Sequence, residues 1–252
     1  MKSKQEQKDI ENLFAETLIE MPLTFSIGEN SEKKYFNVWP KSIGKRMLLD
    51  RMKAQLGLID ENLKADALLE ALRVCKEKND LVLRMIAIST ARNKKSVYDE
   101  LRTQRCIRQF RKGLTLEDTA TLLLHIMQDD NIAINKIKKH YGMDREQKKR
   151  EAVAKVRKKN ATGTVSIGGC TLYGSLVTFC CEKFKMTVDE ALWDISYASL
   201  MLMYADYPDS VYLSDKEYKR LPGWAKQGRD GAVVNGDNKE EIIRAIKSQN
   251  WE

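Results

Sequence analysis

Apolar residues recur along most of this chain at three- and four-residue steps, the period of a helix that buries one stripe. Residues 1–20 carry Ile10, Leu13, Phe14 and Leu18 at that spacing and predict a lead helix. The period then changes. Leu23, Phe25 and Ile27 alternate with polar residues, GENSEK supplies a turn, and Tyr35–Trp39 alternates again, so a β-hairpin is expected before Pro40. From Ser42 the helical period returns and holds to Lys159. Ser42 is placed to cap a helix ending near Gly57. Asp60 is placed to cap the next, which carries Leu63, Ala67, Leu68, Ala71, Leu72 and Cys75. Asn79 or Asp80 opens another helix, with Leu81, Val82, Met85 and Ile86, and Ser96 opens a basic one that runs to Gly113. Thr115 with Asp118 has the form of a capping box ahead of Leu122, Leu123 and Ile126. A helix over 132–141 is stopped by Gly142, and a basic helix over 144–159 follows.

The segment NATGTVSIGG (160–169) interrupts this pattern, and a domain boundary is placed there. Val165 and Ile167, then Cys170 and Leu172, predict a small hairpin. A helix over Tyr173–Phe184 follows, then a cap at Thr187 with Glu190. The stretch Val188–Tyr207 reads as one helix that is apolar on two sides. Ala191, Ile195, Ala198, Leu202 and Ala205 line one side. Trp193, Tyr197, Leu200 and Tyr204 line the other, roughly 180° away at about 100° per residue. Pro208 stops this helix, the residues beyond Leu221 are loop-like, and Asn238 caps a last helix over 239–249. The expected fold is mainly α. A lead helix (1–20) precedes a β-hairpin with a helical domain (21–142). A basic helical linker (143–163) then leads to a small C-terminal α(+β) unit (164–252).

Composition narrows the class. With 252 residues, 42% hydrophobic and 32% charged, the chain reads as folded and well solvated. Its five cysteines are odd in number and show no CxxC spacing, which predicts buried thiols in a reducing cytoplasm rather than a disulfide framework or zinc site. The charged N-terminus has no apolar stretch of a secretory signal, and no apolar run is long enough to span a membrane. The net charge of +8 is local. Between Asp130 and Asn160, eleven basic residues face four acidic ones.

Catalytic constellations are sparse. His125 and His140 have no metal-ligand spacing, and His125 reads as a core or boundary residue of an apolar helix. The glycines of GTVSIGGCTLYG lack the GK[ST] of a phosphate loop and suit a tight turn. Asp129–Asp130 and Glu240–Glu241 sit where acids favour a helix N-terminus. Cys170 after two glycines is the one candidate nucleophile, without a base or orienting partner in the pattern. No metal site or cofactor is expected.

Two surfaces remain as candidates. Trp193, Tyr197, Leu200 and Tyr204, with the adaptable Met201 and Met203, suit a helical protein partner. The alternative is that these aromatics form the core of the C-terminal unit. The basic residues Lys136, Lys138, Lys139, Lys148, Lys149, Arg150, Lys155, Arg157, Lys158 and Lys159 form either a solvated connector or a phosphate-neutralising arm. The arm would make the protein a nucleic-acid-binding accessory of a mobile element. Only Tyr141 is available there for base stacking.

Taken together, LTFSIGENSEKKYFNVWP leading into SIGKRMLLDRMKAQLG, a long helical stretch, a basic linker and then TLYGSLVTFCCEKFKMTVDEALWDISYASLMLMYADYP resemble the tail assembly chaperones of tailed bacteriophages and prophage elements. The resemblance implies a non-enzymatic role in the bacterial host cytoplasm. Such a protein would bind the helical tape measure protein and help recruit tail tube subunits. Trp193, Tyr197, Leu200 and Tyr204 are then the expected interface, and the basic helix a flexible arm. Self-association stays open. In many members of that family the second domain arises by a translational frameshift.

Overall fold

Among the described residues, the elements after Trp39 are helices, and Ser, Thr, Asn and Asp side chains recur as their caps. The computed structural model describes residues 4–28, 33–160, 171–208 and 211–226, the side chains of 158–160 excepted. It is mainly α with an N-terminal hairpin. α1 (Lys4–Leu18) precedes the antiparallel strands β1 (Leu23–Ile27) and β2 (Lys34–Val38). Then come α2 (Ile43–Lys53), α3 (Asp60–Ala65), α4 (Ala67–Glu77), α5 (Asn79–Ser89), α6 (Lys94–Tyr98), α7 (Glu100–Gly113), α8 (Leu116–Met127), α9 (Asp130–Tyr141) and α10 (Met143–Asn160). Beyond the glycine-rich segment lie α11 (Leu172–Lys183), α12 (Val188–Trp193), α13 (Tyr197–Asp206), α14 (Asp215–Arg220) and α15 (Gly223–Lys226).

The chain divides into two units, Met1–Ile137 with Gly169–Tyr204, and Lys138–Gly168 with Ala205–Glu252. The expected C-terminal body beginning at 164 is thus not separate, since α11, α12 and most of α13 belong with the hairpin. The reason is direct packing. Gly44 of α2 has no side chain, and the Trp193 ring lies so close that a Cβ there would sit 2.7 Å from its carbons. Ser42 and Ser196 form an isolated antiparallel bridge, and the Tyr197 N–H donates to the Lys41 carbonyl at 2.8 Å.

In the first unit, the register that pairs Phe25 with Phe36 sets both rings on one face of the hairpin. They stack at 5.5 Å and meet Phe110 of α7 at 5.6 and 4.9 Å. Gly113 lets that helix end against Ile27. α5 runs through the middle, with Val82, Leu83, Met85, Ile86 and Ala87 buried. Its C-terminal carbonyls find donors from three directions. The Trp39 N–H reaches Ser89, Lys45 Nζ reaches Ala91 at 3.0 Å, and Arg102 reaches Ala87 at 3.1 Å. Two cations at the negative end of a helix are favourable there.

Several elements differ from the sequence reading. The helix expected from Asp60 through Cys75 is two helices, because Asp66 accepts from the Leu68 and Leu69 N–H groups and starts α4 afresh. The helix expected from Ser96 begins at Lys94 under an Asn93 cap and breaks at Asp99, which caps α7. Leu172, expected in a strand, begins α11 under a Thr171 cap. A short helix, α14, follows Ser214, and the turn α15 lies where a loop was expected. The rest of the 165–172 hairpin, Cys170 and the 239–249 helix fall outside the described residues. The capping boxes Thr115–Asp118 and Thr187–Glu190 are both present.

Glu70 joins α3 to α4. Its carboxylate accepts from the Ile59 N–H at 2.9 Å, from Asn62 at 3.1 Å and from Arg73 at 2.5 and 2.9 Å. The Arg73 guanidinium holds this carboxyl down to about 2. A depressed carboxyl contributes stability above its unfolded value and loses it as pH falls through the folded one. Urea midpoints should therefore fall from pH 5 to pH 2.5 by less in Glu70→Gln than in the wild type. Equal falls would show that the carboxylate carries none of the acid sensitivity.

Candidate protein-binding surface

The two-sided helix is interrupted. α12 ends at Trp193, and α13 starts at Tyr197 under Ser196, whose Oγ accepts from the Ser199 N–H at 3.1 Å. The break turns the aromatic row inward. Trp193 is only 8% exposed and meets Tyr98 edge-on at 5.6 Å. Tyr197 carries the Arg46 guanidinium 4.3 Å above its ring, meets Tyr173 at 6.0 Å, and donates its hydroxyl to Asn131 at 3.3 Å. Leu200 is fully buried. These three expected interface residues are therefore part of this chain's own core. Tyr204 remains exposed beside Phe179 at 5.0 Å, with Met201 and Met203 half-buried.

The basic residues are not one patch of equal groups. Lys136 and Lys139 are exposed on α9. Lys138 is half-buried and donates to Gln147 at 3.1 Å, with Asp144 3.2 Å away. On α10, Lys148, Lys155 and Arg157 are exposed, whereas Lys149 and Arg150 are half-buried. Arg150 donates to the Ala205 and Tyr207 carbonyls, so it closes the end of α13 within the second unit. Val156 is buried along the same helix. α10 thus has a packed face, which a loose arm would lack. Lys158 and Lys159 lie on its last turn, where side chains are not described.

The cysteines expected to be buried are so at Cys75, Cys106 and Cys180, and all four described thiols, with Cys181, are unpaired. Burial pushes the Cys75 thiol up to about 11, a range in which the nucleophilic thiolate is scarce. His125, expected at the core or its boundary, is exposed. Among the described residues no group of three His, Cys, Asp or Glu could hold a metal, and no helix is long and apolar enough to cross a membrane.

The first unit does present an apolar groove of about 400 Å³ that sequence reasoning missed. α1 forms one wall with Leu13, Glu16 and Thr17, and Val38, Trp39, Ile126 and Ala198 form the others. Lys41 stiffens the floor. Its Nζ donates to the Ile126 and Gln128 carbonyls at 3.2 and 2.7 Å and pairs with Asp130 at 3.1 Å. Asp130 also pairs with Arg46 at 3.2 Å, and Asp129 lies 3.7 Å from the same guanidinium, so two acids balance the two cations. Met21 and Leu23 line the groove and are exposed, Met21 by 59%, and the preceding Leu18 and Ile19 are exposed too, Ile19 by 72%. Four exposed large apolar side chains within six positions are more than the scattered single ones of an ordinary surface. Comparison with protein-family models, curated proteins and solved structures finds no match to the chain.

Proposed function

We propose that this protein is a non-catalytic chaperone that binds an amphipathic helical segment of a structural protein, as the resemblance to phage tail assembly chaperones implies. The tape measure protein is the expected partner, with tail tube subunits recruited alongside it. The observation that supports this reading is the groove, together with the exposed apolar residues Leu18, Ile19, Met21 and Leu23 of the segment that enters its lining. A helix laid into such a groove buries apolar area that water would otherwise cover, with anchors at three- and four-residue steps. Tyr204, Met201 and Met203 offer a second, adaptable contact.

The test is co-purification with an aggregation-prone helical segment of a tape measure protein. Ile19→Asp with Met21→Asp should leave the circular dichroism unchanged, because both side chains are largely exposed. It should weaken capture by roughly tenfold or more. Capture that survives the double substitution would remove the groove from the interface.

A further inference from the structure

α1 is built to leave its seat. None of its residues is buried, in contrast to α2, α4, α5, α7 and α8, each of which contributes to the core. Its apolar stripe of Ile10, Leu13 and Phe14 is only half covered. What holds its end is polar. The Ser199 hydroxyl donates to the Thr17 carbonyl at 2.8 Å, and the Ser196 N–H donates to the Glu20 carboxylate at 2.5 Å.

Glu20 takes an unusual conformation to make that contact. The Met21 N–H bonds the Glu16 carbonyl and the Glu20 N–H bonds Thr17, the paired bonds of a Schellman ending. That motif puts its turning residue in the left-handed region, where glycine is usual, and here Glu20 sits at φ 55°. A side chain at this position strains the backbone, and such strain persists only where other contacts hold it. The carboxylate supplies them. It lies at the N-terminus of α13, where the dipole favours an anion, and within electrostatic reach of buried Lys45.

We propose that α1 is a releasable strap that walls one side of the groove, and that an acidic amphipathic helix of the partner displaces it and takes its seat. This rests on the binding role proposed above. The partner's character follows from the strap itself. Residues 4–20 carry Glu6, Asp9, Glu11, Glu16 and Glu20 against Lys4 and Lys8, behind an apolar stripe at helical spacing. The walls that remain when α1 lifts, including Val38, Ile126 and Ala198, belong to elements held by the core. The carboxylate position at Ser196 then accepts an acid from the incoming helix.

Hydrogen exchange on the full chain tests the strap without any partner. Amides of 4–18 should exchange at least ~tenfold faster than those of α8. Glu20→Ala, and separately Ser199→Ala, should speed them further and leave α8 unchanged. A labelled peptide of residues 4–21 should bind Glu20→Ala at least ~tenfold more tightly than wild type, because the resident strap competes less. Exchange of 4–18 in step with α8, or both variants matching wild type in exchange and peptide binding, overturns the strap. A strap that opens as expected while tape measure capture fails would instead overturn the chaperone role.

Discussion

Trp193→Ala is expected to destabilise the fold by about 3–5 kcal/mol, the range for removing a buried indole and leaving a cavity behind. The ring is covered by α2 through Gly44 and by Tyr98 edge-on, so no neighbour is free to collapse into the space cheaply. The same contact predicts the reverse experiment. Gly44→Val places new atoms against an indole that already lies 2.7 Å from an ideal Cβ, and overpacking of this kind costs about 1–3 kcal/mol or more. Tyr204→Ala should stay within about 1 kcal/mol, because that side chain is exposed. Urea unfolding of the three variants measures the order. A Trp193→Ala protein with a wild-type midpoint would mean that residues 172–204 do not pack on α2.

That experiment also separates what the sequence shows from what it hides. The hairpin was legible because period-two alternation in Leu23–Ile27 and Tyr35–Trp39 flanks a turn, and because Pro40 ends it. Thr115–Asp118 and Thr187–Glu190 were legible because a capping box is a local device whose two partners are three residues apart. The breaks at Asp66, Asp99 and Asp194–Ser196 were not. A cap residue inside an apolar stripe leaves the spacing nearly intact, so Leu63, Ala67 and Leu68 read as one helix although Asp66 starts a new one. α14 was missed for the opposite reason, since DKEYKR has no apolar stripe and only Ser214 and Glu217 signal it. The groove could not be read at all. Its walls come from Leu13, Val38, Ile126 and Ala198, which no local pattern connects. Tyr197 and Trp193 keep a helical rhythm whether they face a partner or Arg46 and Gly44, so periodicity alone could not decide between core and interface.

Relative to Lys45→Met, the wild type should gain stability as pH increases from about 8 to above 10, the contribution of one buried amine. Lys45 is 2% exposed, and its amine donates to the Ala91 carbonyl just past α5 at 3.0 Å. Burial lowers it from 10.5 to about 8, with Glu20 opposing the change and Arg102 adding to it. The unfolded amine holds its proton up to about 10.5, so between these values the unfolded chain binds more protons and higher pH favours folding. The size is ~3 kcal/mol, present as a penalty at pH 7 and removed at high pH. Methionine in its place removes the penalty but leaves the Ala91 carbonyl without its donor, which costs about 1–2 kcal/mol. The variant should therefore be more stable than wild type at pH 7 and equal or less stable above pH 10. If the two stability curves run parallel across that window, the amine is hydrated in the folded protein. The carboxylate of Glu20 would then lack the buried cation that helps hold α1 down.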